Sequence, residues 1–395
     1  MSRKRVAVIG RGTVGSMTAA YFHRYVDADI SWFFDTSIPP QAVGEGSNLT
    51  LPRRMHECLN FSPRDFPLVD GTVKTGIYKE NWGASGKSFL HDFPSPMTSI
   101  HFNANRLQDY VFDKLKDVID VHDANVTADD IDADFVMVCS GRPSDYSEFT
   151  ESEYIPVNAV HVTQCYWDVP LFDYTLTIAR PYGWVFGIPL RNRCAIGYLY
   201  NKDINTEQEI LADVQNVFMQ YGLTPSASTN SFSFKNYRRK DNFSPRVSYN
   251  GNASFFLEPL EATSFSTADA VNSAAMLNWF SGHGAKVTND RYQAILNANE
   301  SIIMLHYAAG STFKTAFWEF AQERGMSCMQ KSSSGFKYML ENARLPNIGE
   351  TYSKTFRRPN PSSLEFDAVY SAWWEGSFAQ NIDGLFDNDI PFSTA

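Results

Sequence analysis

A lysine in a predicted strand is the first side chain of this sequence that could carry chemistry. Residues 69–83, VDGTVKTGIYKENWG, read as a short strand running into a turn, and alternation places Lys74, Gly76 and Tyr78 on one face. A solvated surface lysine is the simpler interpretation of Lys74. The alternative is a functional amine in a cavity, because a partly desolvated ammonium has a lowered pKa and can act as a nucleophile.

A glutamate before a predicted helix is the second candidate. In FLEPLEATSFSTADAV, Glu261 precedes a helix whose start is marked by the hydroxyl residues between Thr263 and Thr267. Backbone N–H groups at Thr263 and Ser264 could hold an anion there, because the positive end of the helix dipole favours negative charge. A solvated carboxylate near a helix start is the alternative interpretation of Glu261.

The N-terminal stretch RVAVIGRGTVGSMTAAYF contains Gly10-x-Gly12-x-x-Gly15 between a buried strand and a helix of small residues. In such a motif the first glycine permits a tight turn, the second lets a pyrophosphate approach the backbone, and the third lets the helix pack on the sheet. The next strand, DISWFF, leads into Asp35, twenty residues after Gly15, where a carboxylate could bind the adenosine ribose. The motif predicts a dinucleotide and leaves FAD and NAD open, although no recognisable set of dehydrogenase residues follows.

These side chains require a Rossmann-type α/β domain with insertions. The stretch IDADFVMVCSG predicts a further buried strand of the nucleotide sheet, and the strand-rich residues 155–240 predict an inserted mixed sheet. The predicted organisation has a discontinuous nucleotide module, substrate-side insertions and a mostly helical C-terminal region. Their expected bounds are 1–50, 125–150 and 245–285 for the module, 51–124 and 151–244 for the insertions, and 286–395 for the helical region.

Composition excludes several classes of function. The 395 residues carry a formal charge of −10 and form no extended basic run beyond MSRKR and NYRRK, so nucleic acid is not an expected partner. The five cysteines are scattered without a metal-ligand spacing, which predicts neither a disulfide framework nor a metal site. Apolar runs too short for a bilayer and an N-terminus that enters a strand directly favour a cytoplasmic protein without a membrane partner.

Several stretches, taken together and in order, resemble the flavin-dependent tryptophan halogenase family. GRGTVGS is similar to the family's first glycine loop, QAVGEGSNL (41–49) to its flavin strap, and VKTGIYKENW to the strand of its catalytic lysine. GWVFGIPL resembles the family's WxWxIP signature, and FLEPLEATS resembles FLEPLESTG. The likeness runs from residue 1 to about residue 320, and the chain looks most like the short halogenases carried by marine phages.

The resemblance implies a role for each matching position. Lys74 falls on the catalytic lysine and Glu261 on the catalytic glutamate, with Trp82 in register. His91 and Phe93 match the substrate-pocket pair, and Thr263 and Ser264 match the halide site. The residues implied to bind the cofactor are Gly10, Gly12, Thr13, Val14, Gly15, Asp35, Val43, Gly44, Glu45 and Leu257.

The resemblance also implies a reaction and its partners. A separate NAD(P)H-dependent flavin reductase supplies FADH2, and O2 and halide give a flavin hydroperoxide and then hypohalous acid, which passes to Lys74. The expected substrate is a small aromatic molecule of indole or phenol type, with bromide or iodide accepted as well as chloride. A homo-oligomer is left open, and a viral chain would work in the host cytoplasm.

Two departures from the family pattern leave an alternative function open. The second Trp of WxWxIP is Phe186, and the serine after the catalytic glutamate is Ala262. The family signature is associated with excluding monooxygenase chemistry. A flavin-dependent monooxygenase on the same fold is therefore the alternative function.

Overall fold

The computed structural model describes residues 3–39, 44–342, 364, 367–369, 372–386 and 390. It divides into two compact units, each assembled from three stretches of chain. Unit 1 contains residues 1–72, 99–151 and 237–293, and unit 2 contains residues 73–98, 152–236 and 294–395. The predicted domain boundaries stay a prediction.

The secondary structure alternates between the two units. The described strands are β1 (Lys4–Ile9), β2 (Ala28–Phe34), β3 (Thr72–Lys74), β4 (Gly76–Glu80), β5 (Phe89–Asp92), β6 (Ser99–His101), β7 (Asp120–Asp123), β8 (Phe135–Val138), β9 (Phe149–Glu151), β10 (Ala159–Tyr166), β11 (Thr175–Arg180), β12 (Gly183–Pro189), β13 (Arg193–Tyr200), β14 (Thr224–Ser233), β15 (Tyr237–Arg239), β16 (Val247–Tyr249) and β17 (Phe255–Phe256). The described α-helices are α1 (Thr13–Tyr25), α2 (Thr50–Leu59), α3 (Ala104–Leu115), α4 (Glu207–Gln220), α5 (Ser264–Phe280), α6 (Ala285–Ala309), α7 (Ala316–Lys331), α8 (Ser334–Asn342) and α9 (Glu375–Phe386).

Unit 1 is built on a five-stranded sheet in the order β16-β8-β1-β2-β7. All of its neighbouring strands are parallel. Counted along the chain within this sheet, the order is 5-4-1-2-3, which is the Rossmann order, and the order reverses between β1 and β8. The fold class predicted from the sequence is confirmed, and ligands of such sheets bind where the order reverses.

Unit 2 is built on a seven-stranded mixed sheet in the order β14-β10-β13-β12-β11-β4-β5. The pairing of β11 with β4 is parallel and the other pairings are antiparallel. Helix α4 begins with a capping box in which Thr206 and Glu209 satisfy each other's backbone N–H groups. Its apolar face, including Val214 and Val217, packs into a core with Ile178 and Ile196 of the sheet.

The single strand predicted around Lys74 is divided into β3 and β4 at Thr75. Both the backbone N–H and the side-chain hydroxyl of Thr75 bond to Asp173 instead of continuing one ladder, and the carbonyl of Thr75 accepts from the N–H of Phe93. Lys74 therefore belongs to a different strand from Gly76 and Tyr78. Of the three side chains predicted to share one face, only those of Gly76 and Tyr78 belong to the same strand.

Candidate functional site

The glycine loop of unit 1 has the geometry that a dinucleotide requires. Gly10 has φ of +111°, and a Cβ added there would lie 2.3 Å from the carbonyl oxygen of Cys139. A Cβ added at Gly15 would lie 2.3 Å from the carbonyl oxygen of Gly10, so both positions demand glycine for steric reasons. A Cβ at Gly12 would meet nothing within 4 Å, which leaves the backbone at the start of α1 open to a ligand. These residues fit the pyrophosphate of a dinucleotide.

A buried tryptophan, which no sequence pattern indicated, supports this loop. The indole Nε1 of Trp32 on β2 donates to the carbonyl of Gly10 at 2.8 Å. Helix α1 has Gly12 as its N-cap and no acidic residue in its first turn, so no carboxylate of that turn competes for its N–H groups. Asp35 follows β2 as predicted, where its Oδ1 accepts from the backbone N–H of Ser37 at 2.8 Å.

The predicted flavin strap is described from Gly44 onward, and Val43 lies outside the described residues. Gly44 has φ of +83° and open space where a Cβ would stand. Glu45 is buried, and its carbonyl accepts from the N–H of Phe102 at 3.0 Å. Leu257, a further predicted cofactor contact, is also buried. The cofactor roles of these residues stay predictions.

Glu261 lies in a tight turn before α5, and its side chain is 4% exposed. A solvated surface carboxylate, the alternative interpretation, is therefore wrong. The next residue, Ala262, has φ of +52°, and Thr263 follows in the right-handed region as the N-cap of α5. Successive residues with positive and then negative φ turn neighbouring N–H groups toward one concave point, which is an anion-binding arrangement. The backbone at Thr263 and Ser264 thus has a form that can hold an anion, and its role as a halide site stays a prediction.

Lys74 in unit 2 is fully buried, at 0% exposure, so the interpretation as a surface lysine is wrong. Its Nζ lies 5.6 Å from the ring centroid of Phe93, in the range of a cation–π contact. The rings of Phe93 and His91 lie 6.4 Å apart, and His91 lies 5.4 Å from Trp373. The structure thus brings together Lys74, His91 and Phe93, three of the predicted site residues, and adds Trp373. Glu261 belongs to unit 1.

A second lysine of unit 2, Lys79, is also fully buried. Its Nζ lies 2.6 Å from Nε2 of His306 and 2.5 Å from Oδ1 of Asn381, and 5.6 Å from the ring centroid of Trp373. We use the name buried row for a set of neighbouring side chains, which are Lys74, Phe93, His91, Trp373 and Lys79. The buried row joins the hairpin β4–β5 to Trp373, just before α9.

Helix α9 holds the hairpin through one face. Ser377, Asn381 and Gly384 have the spacing i, i+4, i+7, and they contact His91, Lys79 and Phe89 respectively. A Cβ added at Gly384 would lie 2.4 Å from the ring of Phe89, so glycine allows the helix to lie close to β5.

Sequence reasoning missed Lys79, His306, Ser377 and Asn381. Lys79 carries a weak signal, because alternation along β4 places it on the same side as Ile77, which is buried. Ser377 and Asn381 carry none, since the motif resemblance ends near residue 320. The aromatic stretch YSAWWEGSF, which includes Trp373, was recognised only by composition.

Comparison with known proteins agrees with this architecture. The sequence model of the tryptophan halogenase family matches residues 5–117 and 105–345. Among solved structures, the tryptophan 5-halogenase MibH has a TM-score of 0.77 and 19% identity, with 96% of this chain and 85% of that chain covered. The tryptophan 6-halogenase SttH from Streptomyces toxytricini has a TM-score of 0.74 and 17% identity, with 93% of this chain and 90% of that chain covered. The flavin-dependent halogenase BrvH from Brevundimonas sp. BAL3 has a TM-score of 0.72 and 18% identity, with 95% of this chain and 90% of that chain covered.

The parallel sheet, the glycine loop and the inserted mixed sheet define a flavoprotein-type α/β fold. The match to the family model spans most of the chain, and the chain therefore belongs to the tryptophan halogenase family of flavin-dependent halogenases. The likenesses to solved structures establish the fold. In the part of the chain that the structure describes, no helix has the length and apolar character needed to cross a membrane.

Proposed function

We propose that this protein halogenates a small aromatic molecule of indole or phenol type with reduced FAD, O2 and halide, and that Lys74 delivers the halogen. Family membership supports the reaction class. The observation that carries the assignment within this chain is the complete burial of Lys74 beside Phe93. Burying a lysine is costly, so its complete burial favours a role for the amine beyond packing.

Reduced flavin, when bound, would provide hypohalous acid from O2 and halide. Lys74 either hydrogen-bonds this acid or reacts with it, so that the amine and HOX give an N-halo amine and water. The aromatic ring then takes the halogen from the N-halo amine, whose nitrogen takes up a proton as the N–X bond breaks, so that the amine of Lys74 is restored. Glu261 accepts the proton that the ring carbon releases. His91 and Phe93 hold the ring of the substrate by aromatic contact.

The cofactor is assigned to the glycine loop, the strap and Leu257 of unit 1. The backbone N–H groups at the start of α1 would hold the pyrophosphate, and Asp35 would bind the ribose. The proposal includes a separate NAD(P)H-dependent reductase, because the sequence has one dinucleotide motif. We also propose that this protein is viral and works in the host cytoplasm, and the motif likeness to phage halogenases supports a viral origin.

The halide is assigned to the backbone N–H groups of Thr263 and Ser264. Ala262 stands where the family has serine, which removes a polar atom and some volume beside them. We therefore expect bromide and iodide to compete well with chloride. Competition assays with equal halide concentrations measure this directly, and a strict preference for chloride would contradict it.

The test of the proposed function uses the purified protein with FAD, NADH and a generic flavin reductase. Each halide is offered with a panel of indoles and phenols, and product is identified by mass spectrometry. Lys74→Met keeps the length of the side chain and removes the amine, and we expect halogenated product to fall by about 100-fold or more, as for loss of a covalent catalyst. The matched control is Lys202→Met, at an exposed lysine.

Catalase and a no-protein reaction exclude halogenation by free peroxide. Halogenation that is unchanged in Lys74→Met would remove Lys74 from the mechanism. Hydroxylated product from the wild-type protein would favour the monooxygenase.

A further inference from the structure

The buried lysine that the proposed mechanism does not use, Lys79, is the strongest unexplained feature of unit 2. Its side chain is fully enclosed, with its Nζ 5.7 Å from the ring centroid of Phe89 and 5.6 Å from that of Trp373. Removing an ammonium from water costs several kcal/mol unless hydrogen bonds compensate it. An apolar side chain would fill the same volume without this cost. The lysine therefore contributes something besides packing.

The directions of the hydrogen bonds around Lys79 follow from their partners. Nδ1 of His306 lies 2.9 Å from the carbonyl oxygen of Ile302, which can only accept, so Nδ1 carries the proton and Nε2 accepts from Lys79. The side-chain amide of Asn381 donates through Nδ2 to the carbonyl of Ser377 at 2.8 Å. Its Oδ1 is thereby turned toward Lys79. Lys79 thus donates to one acceptor on α6 and one on α9.

The same face of α9 also reaches the ring of His91. The hydroxyl of Ser377, one turn before Asn381, lies 2.7 Å from Nε2 of His91. Three residues after Ser377, Oε1 of Gln380 accepts from the backbone N–H of Asp92 at 3.0 Å. A rotation of α9 by one residue, about 100°, would break the contacts of Ser377 and Asn381 together. The bond to Lys79 therefore fixes the rotation that Ser377 needs.

We propose that Lys79 and Ser377 are positioning residues for His91. Lys79 fixes the rotation of α9 through Asn381, and Ser377 then holds the imidazole of His91 in one orientation within the buried row. A directional polar contact specifies one register, which apolar packing alone does not do. This inference rests on the proposed function in one respect, namely that His91 faces the aromatic substrate.

The first readout needs no catalysis. Selective labelling of histidine ring nitrogens reports the hydrogen bonding and tautomer of His91, whose signal is assigned with His91→Gln. We expect Ser377→Ala and Lys79→Met each to shift the His91 signals, and Ser377→Thr, which keeps the hydroxyl, to restore them. Unchanged His91 signals in Ser377→Ala and Lys79→Met, even with lowered melting temperatures, would show a purely structural role and overturn the proposal.

The second readout is steady-state kinetics on the best aromatic substrate. We expect KM to rise about tenfold in Ser377→Ala, where one net hydrogen bond is lost, and at least as much in Lys79→Met, where two are lost. The value of kcat should change by about twofold or less in both variants, because Lys74 is untouched. A fall of kcat at constant KM would contradict the positioning role. If Lys79→Met does not fold, Ser377→Ala with its Ser377→Thr control decides the question alone.

The two readouts separate the two proposals. If the wild-type protein halogenates nothing but the His91 signals respond as expected, the proposed function fails and the positioning of His91 stands. If halogenation depends on Lys74 and the His91 signals do not respond, the proposed function stands and this inference fails.

Discussion

The glycine loop of unit 1 and the buried row of unit 2 are both sites of restricted geometry, but they are encoded differently. The passage from β1 into the first turn of α1 is specified by backbone constraints within six residues, Gly10 to Gly15. The buried row draws side chains from residues 74–93 and from Trp373, which are far apart in sequence. A steric demand on the backbone leaves a local sequence pattern, whereas side-chain packing between distant segments leaves almost none.

The sharpest test of this contrast compares two glycines of one loop. Gly10→Ala places a Cβ against the Cys139 carbonyl at positive φ, and we expect it to unfold or strongly destabilise unit 1, with FAD binding lost. Gly12→Ala meets open space, so we expect an unchanged melting temperature and FAD affinity reduced by about tenfold or more, because the Cβ enters the ligand's space. Circular dichroism melts and quenching of FAD fluorescence measure the two effects. Equal FAD affinity in Gly12→Ala and wild type would contradict the assignment of this loop as the FAD site.

A smaller effect is expected at the contact between α9 and β5. Gly384→Ala would press a methyl group on the ring of Phe89, and overpacking of this kind typically costs about 1–3 kcal/mol. We expect a lower melting temperature and a loss of halogenation, with FAD affinity retained. Ala379→Ser, at a half-buried position of the same helix, is the control for general sensitivity of α9. A matching loss of FAD affinity in Gly384→Ala would show that the two regions are not separately encoded.

The smallest effect concerns pH and the sheet of unit 2. Burial lowers the pKa of His161, against a weaker opposing influence of Glu207. The folded state thus binds fewer protons than the unfolded chain just below pH 6.5, so stability is greatest above that pH and falls as pH decreases. His161→Gln cannot titrate, and we expect a shallower pH dependence of its unfolding free energy between about pH 7 and pH 5. Denaturant unfolding at several pH values measures this, and parallel curves for variant and wild type would contradict it.

Much of the fold could be predicted because its signals are periodic or steric. The glycine spacing and buried strands predicted the Rossmann sheet, and the strand-rich middle predicted the mixed sheet. The stretch around Lys74 was harder, since the bonds from Thr75 to Asp173 that split it join residues far apart in sequence. Burial of Lys74 and Glu261 could be argued only from the family resemblance. The residues that cover a buried side chain are often distant in sequence, so the local pattern does not reveal them.

The polar contacts of α9 with His91 and Lys79 could not be predicted at all. Ser377 and Asn381 are common helix-surface residue types, and only the rotation of α9 gives them a role. Lys79 resembles any exposed lysine of a strand until its neighbours His306 and Trp373 are known. The contacts of these residues in the structure reveal their role, whereas their spacing in the sequence does not.

The pairing of β16 with β8 has a consequence for synthesis on the ribosome. The parallel sheet of unit 1 receives its fifth strand only at Val247–Tyr249, after every strand of the mixed sheet has been translated. At about 5–20 residues per second, that delay after β8 is roughly 5–20 s. Until then β8 has an unpaired edge, and open edges invite pairing with other chains. The edge of β8 is thus open to aggregation while residues 139–246 are being translated, and we expect this edge to need chaperone protection in that interval.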